Sequence, residues 1–288
     1  MEQAIQSRSF QVTDPSGRNI RCLKDDQAIE IAEDFQCTVR RVYLEALRRG
    51  VHPYRYLRNR AILSGEEQLK LLQATVAVVG AGGLGGFVIE MLARLGIGHL
   101  ILADHDTFEE TNLNRQVLSS KDTLGMSKTE AGALRVEAIN PAVDTTVHRT
   151  KINEDNGKKL LSGAHVIVDA LDGIPDRLAL GKTARALNIP MVHGAVAGFE
   201  GHVMTIFPED SGLVLIYGER NIMVPGEHNA EAILGVPAVT PALIATLQAM
   251  EVMKIILRRG DPLRNRMLHV DLEACRFSEF SFPEGPKK

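Results

Sequence analysis

Val76-Ala77-Val78-Val79 running into Gly80-Ala81-Gly82-Gly83-Leu84-Gly85-Gly86 reads as a buried strand that delivers the chain into a glycine turn at the start of a helix. Gly80, Gly82, Gly83 and Gly85 let backbone N–H groups approach phosphate oxygens at that helix N-terminus. Asp104, at the end of the next strand, is placed to bind ribose hydroxyls. That much fits NAD as well as ATP. The distinction comes downstream, from Arg115 in Asn112-Leu113-Asn114-Arg115-Gln116 and from Lys128. A dinucleotide's pyrophosphate is held mostly by backbone, whereas chemistry on a triphosphate must neutralise more charge. Arg115 and Lys128 supply that neutralisation.

Outward from this stretch the pattern alternates. Val76–Val79, Leu100–Ala103, Thr145–His148, Val166–Asp169 and Met191–His193 read as strands, with helices near Leu84–Leu95, Lys128–Asn140, Asp155–Leu161 and Pro175–Leu187 between them. Such alternation predicts an α/β fold, a Rossmann-like, doubly wound and mainly parallel sheet with helices on both faces. After Val192 the pattern changes to Glu200–Phe207, an irregular stretch with Pro208, Pro225 and Pro237, a long helix from about Pro241 to Arg259 and a return strand at Met267–Leu272. This is read as a C-terminal β-rich lobe.

Residues 1–53 read as an N-terminal helical extension and 54–288 as the catalytic domain. The extension opens on a polar stretch, then carries a helix near Asp26–Phe35 and a second that Thr38 caps and Gly50 ends. The two helices have a helix-turn-helix look, with Arg40, Arg41, Arg48 and Arg49 as phosphate contacts. The charge of the rest of the chain counts against that reading: 33 basic and 36 acidic residues give a net charge of −3, so nucleic acid is not the expected partner. Packing on the enzyme, or docking of a carrier protein, is the preferred role.

A hydrophobic content of 44% supports a sizeable core. With no signal-like apolar segment at the N-terminus and no apolar run read as membrane-spanning, a cytoplasmic enzyme without a membrane partner is expected. Cys22, Cys37 and Cys275 are widely spaced and form no CxxC pair. Free thiols are expected, and neither a disulfide framework nor a zinc site.

The chain resembles the ThiF/HesA/MoeB adenylyltransferases, which are similar in fold and chemistry to ubiquitin-activating enzymes. Five segments carry the likeness in the family's order: Arg55-Tyr56-Leu57-Arg58-Asn59, the glycine turn with Asp104-His105-Asp106, Asn112 to Gln116, Gly125-Met126-Ser127-Lys128, and Asp169-Ala170-Leu171-Asp172. Two weaker echoes are Gly194-Ala195 with Gly198 to Gly201, and Leu247 to Glu251. The resemblance implies ATP and magnesium as cofactors. It places Asp104 on the ribose, Arg115 and Lys128 on the phosphates with Asn112 nearby, and Asp172 beside the magnesium ion. It also implies a homodimer in which Arg58 reaches the neighbouring subunit's site, an assignment that could slip to Arg55 or Arg60. The activity it implies is adenylation of the C-terminal glycine carboxylate of a ubiquitin-like sulfur carrier ending in Gly-Gly.

Two departures from the family stand out. Its paired zinc cysteines are missing around Leu213–Arg220 and in the C-terminal part, so no zinc is expected. The stretch His228-Asn229-Ala230-Glu231-Ala232-Ile233-Leu234-Gly235, where many relatives carry an acyl-accepting cysteine, has none. A released or handed-on acyl-adenylate follows, with sulfur supplied by another protein. Three rivals are set beside this reading: a tRNA-modifying dehydratase of the same fold, a silent nucleotide-binding scaffold, and an NAD-dependent oxidoreductase with His193 as its proton-transfer residue.

Overall fold

The computed structural model describes residues 1–218 and 230–283. Its larger sheet has eight strands in the order β11-β10-β9-β8-β7-β4-β5-β6. Five of them are mutually parallel: β4 (Thr75–Val79), β5 (His99–Ala103), β6 (Asp144–His148), β7 (Val166–Asp169) and the first part of β8 (Met191–Ala197). Side chains alternate between two apolar layers. Val76, Val78, Leu100, Leu102, Val166 and Val168 face one layer, and Ala77, Val79, Ile101, Ala103 and Ile167 face the other. A sheet buried on both faces needs such unbroken apolar strands.

The helices cover those faces. On the first lie α5 (Gly83–Leu95), α6 (Lys128–Ile139) and α11 (Val239–Leu257), and on the second α7 (Gly157–Leu160), α8 (Ile174–Leu187) and α9 (Val214–Tyr217). A short α10 (Ala230–Leu234) precedes α11. At 19 residues and a mean hydropathy of 1.4, α11 is apolar and long enough to cross a bilayer by composition, which the sequence reading overlooked. Here it packs on α5, β8 and β9 through Ile244, Ala245, Ala249 and Val252.

Beyond β8 the sheet turns antiparallel. A two-residue turn, Gly198-Phe199, with Gly198 at φ +58°, folds β9 (Glu200–Ile206) back on β8, as tight hairpins require. β10 (Arg266–Asp271) pairs with β9, and β11 (Arg276–Ser281) pairs with β10. The expected return strand is thus β10, and β11 was not anticipated because all its residues are exposed.

The extension holds more than the two anticipated helices, α2 (Asp25–Asp34) and α3 (Val39–Arg48). Its opening polar stretch folds as α1 (Glu2–Arg8) and a hairpin of β1 (Phe10–Thr13) and β2 (Asn19–Leu23), and β3 (Val51–Pro53) joins β2 in parallel. The hairpin turn is fixed by Asp14, whose Oδ1 accepts the N–H groups of Ser16 and Arg18, each at 2.9 Å. Asp14-Pro15-Ser16-Gly17 was a legible turn signal. Thr38 caps α3 by accepting the Arg41 N–H at 3.3 Å.

The extension's core includes Leu72 of α4 (Gly65–Gln73) and Ala142. A short 3₁₀ arm, Tyr54–Asn59, follows β3. Arg55 of this arm pairs with Asp25 and donates to the Ile139 carbonyl at 2.8 Å, while the Tyr56 hydroxyl accepts from Asn140 at 2.7 Å. The C-terminal end of α6 is pinned there. Arg40, Arg48 and Arg49 pair with Asp144, Glu45 and Glu2, which commits most of the helix-turn-helix arginines to the protein's own carboxylates.

Candidate nucleotide site

From β4 the chain crosses through α5 to β5 on one side, while β7 adds on the other. In open α/β sheets the crevice at the carboxyl ends of such diverging strands is the ligand site. A cleft opens there, lined by Gly80, Gly82, Gly83, Asp104, Asp106, Arg115, Gln116, Lys128, Thr150 to Ile152 and Ala170 to Asp172 among others. The sequence-derived residues Gly80, Gly82, Gly83, Asp104, Arg115, Lys128 and Asp172 therefore converge.

The glycine turn is locked from both sides. Gly80, at φ +93°, donates to the Ala103 carbonyl at 2.8 Å, and the Ala81 N–H donates to Asp104 Oδ2 at 2.7 Å. Asp104 Oδ1 takes the Asp106 N–H at 2.9 Å. The acid read as a ribose ligand thus also ties the turn to the end of β5. Gly85 does not line the cleft: a Cβ there would lie 1.8 Å from the Gly80 carbonyl oxygen, so its glycine serves the packing of α5 under the turn. No side chain caps the N-terminus of α5 at Gly82, which leaves its N–H groups and positive dipole end facing the cleft.

Lys128 is the first residue of α6 and only 7% exposed. Its Nζ donates to Asp106 Oδ2 at 3.0 Å and its N–H to the Asp106 carbonyl at 3.1 Å. A buried ammonium is costly without such a partner. Asp106 was quoted in the sequence motif but given no role. Arg115 is steadied by the Thr111 carbonyl and Asn114 Oδ1, both at 3.0 Å. Asn112 stands apart from the cleft, its Oδ1 accepting the Glu109 N–H at 3.0 Å as a loop cap. Thr150, Lys151 and Ile152 carry no sequence signal and were missed. Arg58 lies outside the cleft, exposed and without a hydrogen bond or ion pair among the described residues, whereas Arg55 is tied to Asp25. His228 and Asn229 of the expected crossover loop lie outside the described residues.

Beneath the cleft a polar knot closes the sheet. His193 is fully buried; its Nδ1 meets Asp169 Oδ2 at 2.7 Å, and its Nε2 lies 3.2 Å from both His202 Nε2 and the Tyr217 hydroxyl. Burial pushes the pKa of His193 down, and burial with the neighbouring His193 and Arg177 lowers that of His202 to about 3. Proton transfer to a substrate is not what this geometry serves, since His193 does not line the cleft. Unfolding returns His202 to its ordinary value near 6.5, so between the two values the unfolded chain binds the extra proton. Stability is therefore full above about pH 6.5 and falls on acidification toward pH 3, by up to about 1.4 kcal/mol per pH unit for this group. His202→Gln is expected to flatten that limb in urea denaturation midpoints measured from pH 7.5 to 5. An unchanged slope removes His202 from the account.

A doubly wound sheet with an anion-ready helix terminus, an acid at the end of β5 and two cations around one cleft has the architecture of a nucleotide-binding enzyme. Residues 56–288 match the ThiF family. The SAMP-activating enzyme E1 of Haloferax volcanii is 36% identical over 77% of this chain and 81% of its own. The sulfur carrier protein adenylyltransferase of Thermus thermophilus is 32% identical, over 77% and 83% respectively. Among solved structures, E. coli MccB with ATP superposes with a TM-score of 0.70 at 25% identity, covering 81% of this chain and 72% of that one. The chain belongs to the ThiF family, and its activity is that of an adenylyltransferase.

Proposed function

We propose that the cleft binds ATP with magnesium and adenylates the C-terminal glycine carboxylate of a ubiquitin-like sulfur carrier protein. The observation that carries this is the buried Lys128 ammonium, held by Asp106 across the cleft from the open N-terminus of α5. Two relatives, a sulfur carrier protein adenylyltransferase and the molybdopterin-synthase adenylyltransferase of Salmonella typhimurium, support the substrate class. Carboxylate oxygens suit magnesium, and Asp172, which lines the cleft, would hold the ion. Its chemistry there would be to neutralise phosphate charge and aid departure of pyrophosphate.

The carrier's carboxylate, ionised at neutral pH, needs no base. Its oxygen attacks the α-phosphorus, the bond from that phosphorus to the bridging oxygen breaks, and pyrophosphate leaves. Lys128 and Arg115 neutralise the charge gathering on the phosphates, Asp104 orients the ribose, and the glycine turn donates N–H groups. With no cysteine between residues 228 and 235, the acyl-adenylate passes on without a thioester in that loop. In the homodimer we infer, Arg58 reaches the partner's phosphates. Zinc has no cysteine set to hold it.

Pyrophosphate exchange into ATP, run with magnesium and with each Gly-Gly-ending carrier candidate from the same genome, tests the reading. Exchange that requires one carrier is the expected result. Nucleotide binding without exchange for any carrier would overturn the substrate assignment.

A further inference from the structure

The three cleft residues that no motif announced, Thr150, Lys151 and Ile152, arrive from the loop after β6. In the sheet, β6 and β7 stand on either side of β4 and β5, three strand spacings or about 14 Å apart. Lys151 nevertheless reaches the helix that follows β7: its Nζ lies 2.9 Å from Oδ2 of Asp176, in the first turn of α8. Both residues line the cleft. The pair therefore bridges the cleft past the carboxyl ends of β4 and β5, where the glycine turn and Asp104 stand. Three residues on, a second pair repeats the span, with Lys182 Nζ of α8 donating to Glu154 Oε1 at 2.8 Å.

The two halves of the first pair are unlike. Asp176 is fixed: its carboxylate lies against Gly173, where an added Cβ would be 3.4 Å from Oδ2, and the N-terminal end of a helix favours an anion. Lys151 is a long, exposed side chain on a loop held down by the buried Ile152. Ion pairs this exposed are weak and screened by salt, so they break and remake readily. We propose that Lys151 and Asp176 form a strap across the nucleotide cleft, which opens to admit ATP and, closed, slows escape of the nucleotide and of the acyl-adenylate made from it. The need is particular to this chain. With no cysteine between residues 228 and 235 to take the acyl group, the mixed anhydride has to stay in place until it is handed on. Lys151 and Asp176 are thus positioning residues, and the proposal rests on the cleft being the ATP site.

Release of a fluorescent ATP analogue, chased from the full-length protein with excess ATP and magnesium, reads the strap directly. Lys151→Ala is expected to speed release about fivefold at low salt, the limit set by the worth of an exposed pair. Raising the salt should quicken wild-type release more steeply than that of the variant, because only the wild type has the pair to screen. Exchanging the two charges, Lys151→Asp together with Asp176→Lys, should restore slow release. A lysine that served by touching the nucleotide would not be rescued by moving its charge to α8. Release from Lys151→Ala at the wild-type rate, or from the charge exchange at the rate of the single variant, overturns the strap while leaving the ATP site standing. Wild-type protein that binds neither the analogue nor ATP overturns the site itself.

Discussion

Lys128→Ala abolishes carrier-dependent pyrophosphate exchange, with a fall of about a hundred- to a thousandfold, the scale set by removing one preorganised donor from developing phosphate charge. The fold survives the change. Lys128 begins α6 but contributes no cap, and its partner Asp106 is about half exposed, so loss of the pair costs less than about 1 kcal/mol. Melting temperature measured beside exchange separates the two effects. Full activity in the variant would remove Lys128 from the site. The same variant tests the dimer. Arg58→Ala is also expected to be inactive, yet mixing it with Lys128→Ala should restore exchange, because one site of each mixed pair then has an intact Lys128 and an intact Arg58 from its partner. No recovery on mixing would place Arg58 elsewhere.

Gly85→Ala is expected to cost about 3 kcal/mol of stability and all measurable ATP binding. The new Cβ would sit 1.8 Å from the Gly80 oxygen and 2.7 Å from its carbon, with the Ala170 side chain at 3.3 Å behind it. Retreat is blocked because Gly80 and Ala81 are bonded to Ala103 and Asp104. Gly83→Ala is the contrasting case. There the nearest atom is a Pro241 side-chain carbon at 3.7 Å, an ordinary contact, and the variant should melt near the wild-type temperature. Equal melting temperatures for the two variants would mean that α5 does not pack on the turn as described.

The parallel half of the fold was legible because its signal is redundant. Val76–Val79 is apolar on both faces, glycines follow it, and Asp104 falls at the end of the next strand. The antiparallel edge and the hairpin of the extension were less legible. β11 is exposed throughout, so no face of Arg276–Ser281 had to be apolar, and β1 and β2 are too short for their alternation to outweigh their polar residues. In the site, residues tied to a motif were readable, including Lys128 at the mouth of its helix. Lys151 was not, since its place in the cleft comes from the loop after β6. Asn112 has a role the motif did not disclose, since its Oδ1 braces the loop that presents Arg115.

Arg55 and Tyr56 grip the far end of α6, and the near end of α6 is Lys128. Twelve residues of helix make a stiff strut of about 18 Å. The arm that grips it is the one that extends Arg58 toward the neighbouring protomer in the proposed dimer. The arm that carries Arg58 and the helix that presents Lys128 are thereby joined into one stiff piece, so the placement of the ammonium in the cleft leans on contacts made a full helix length away.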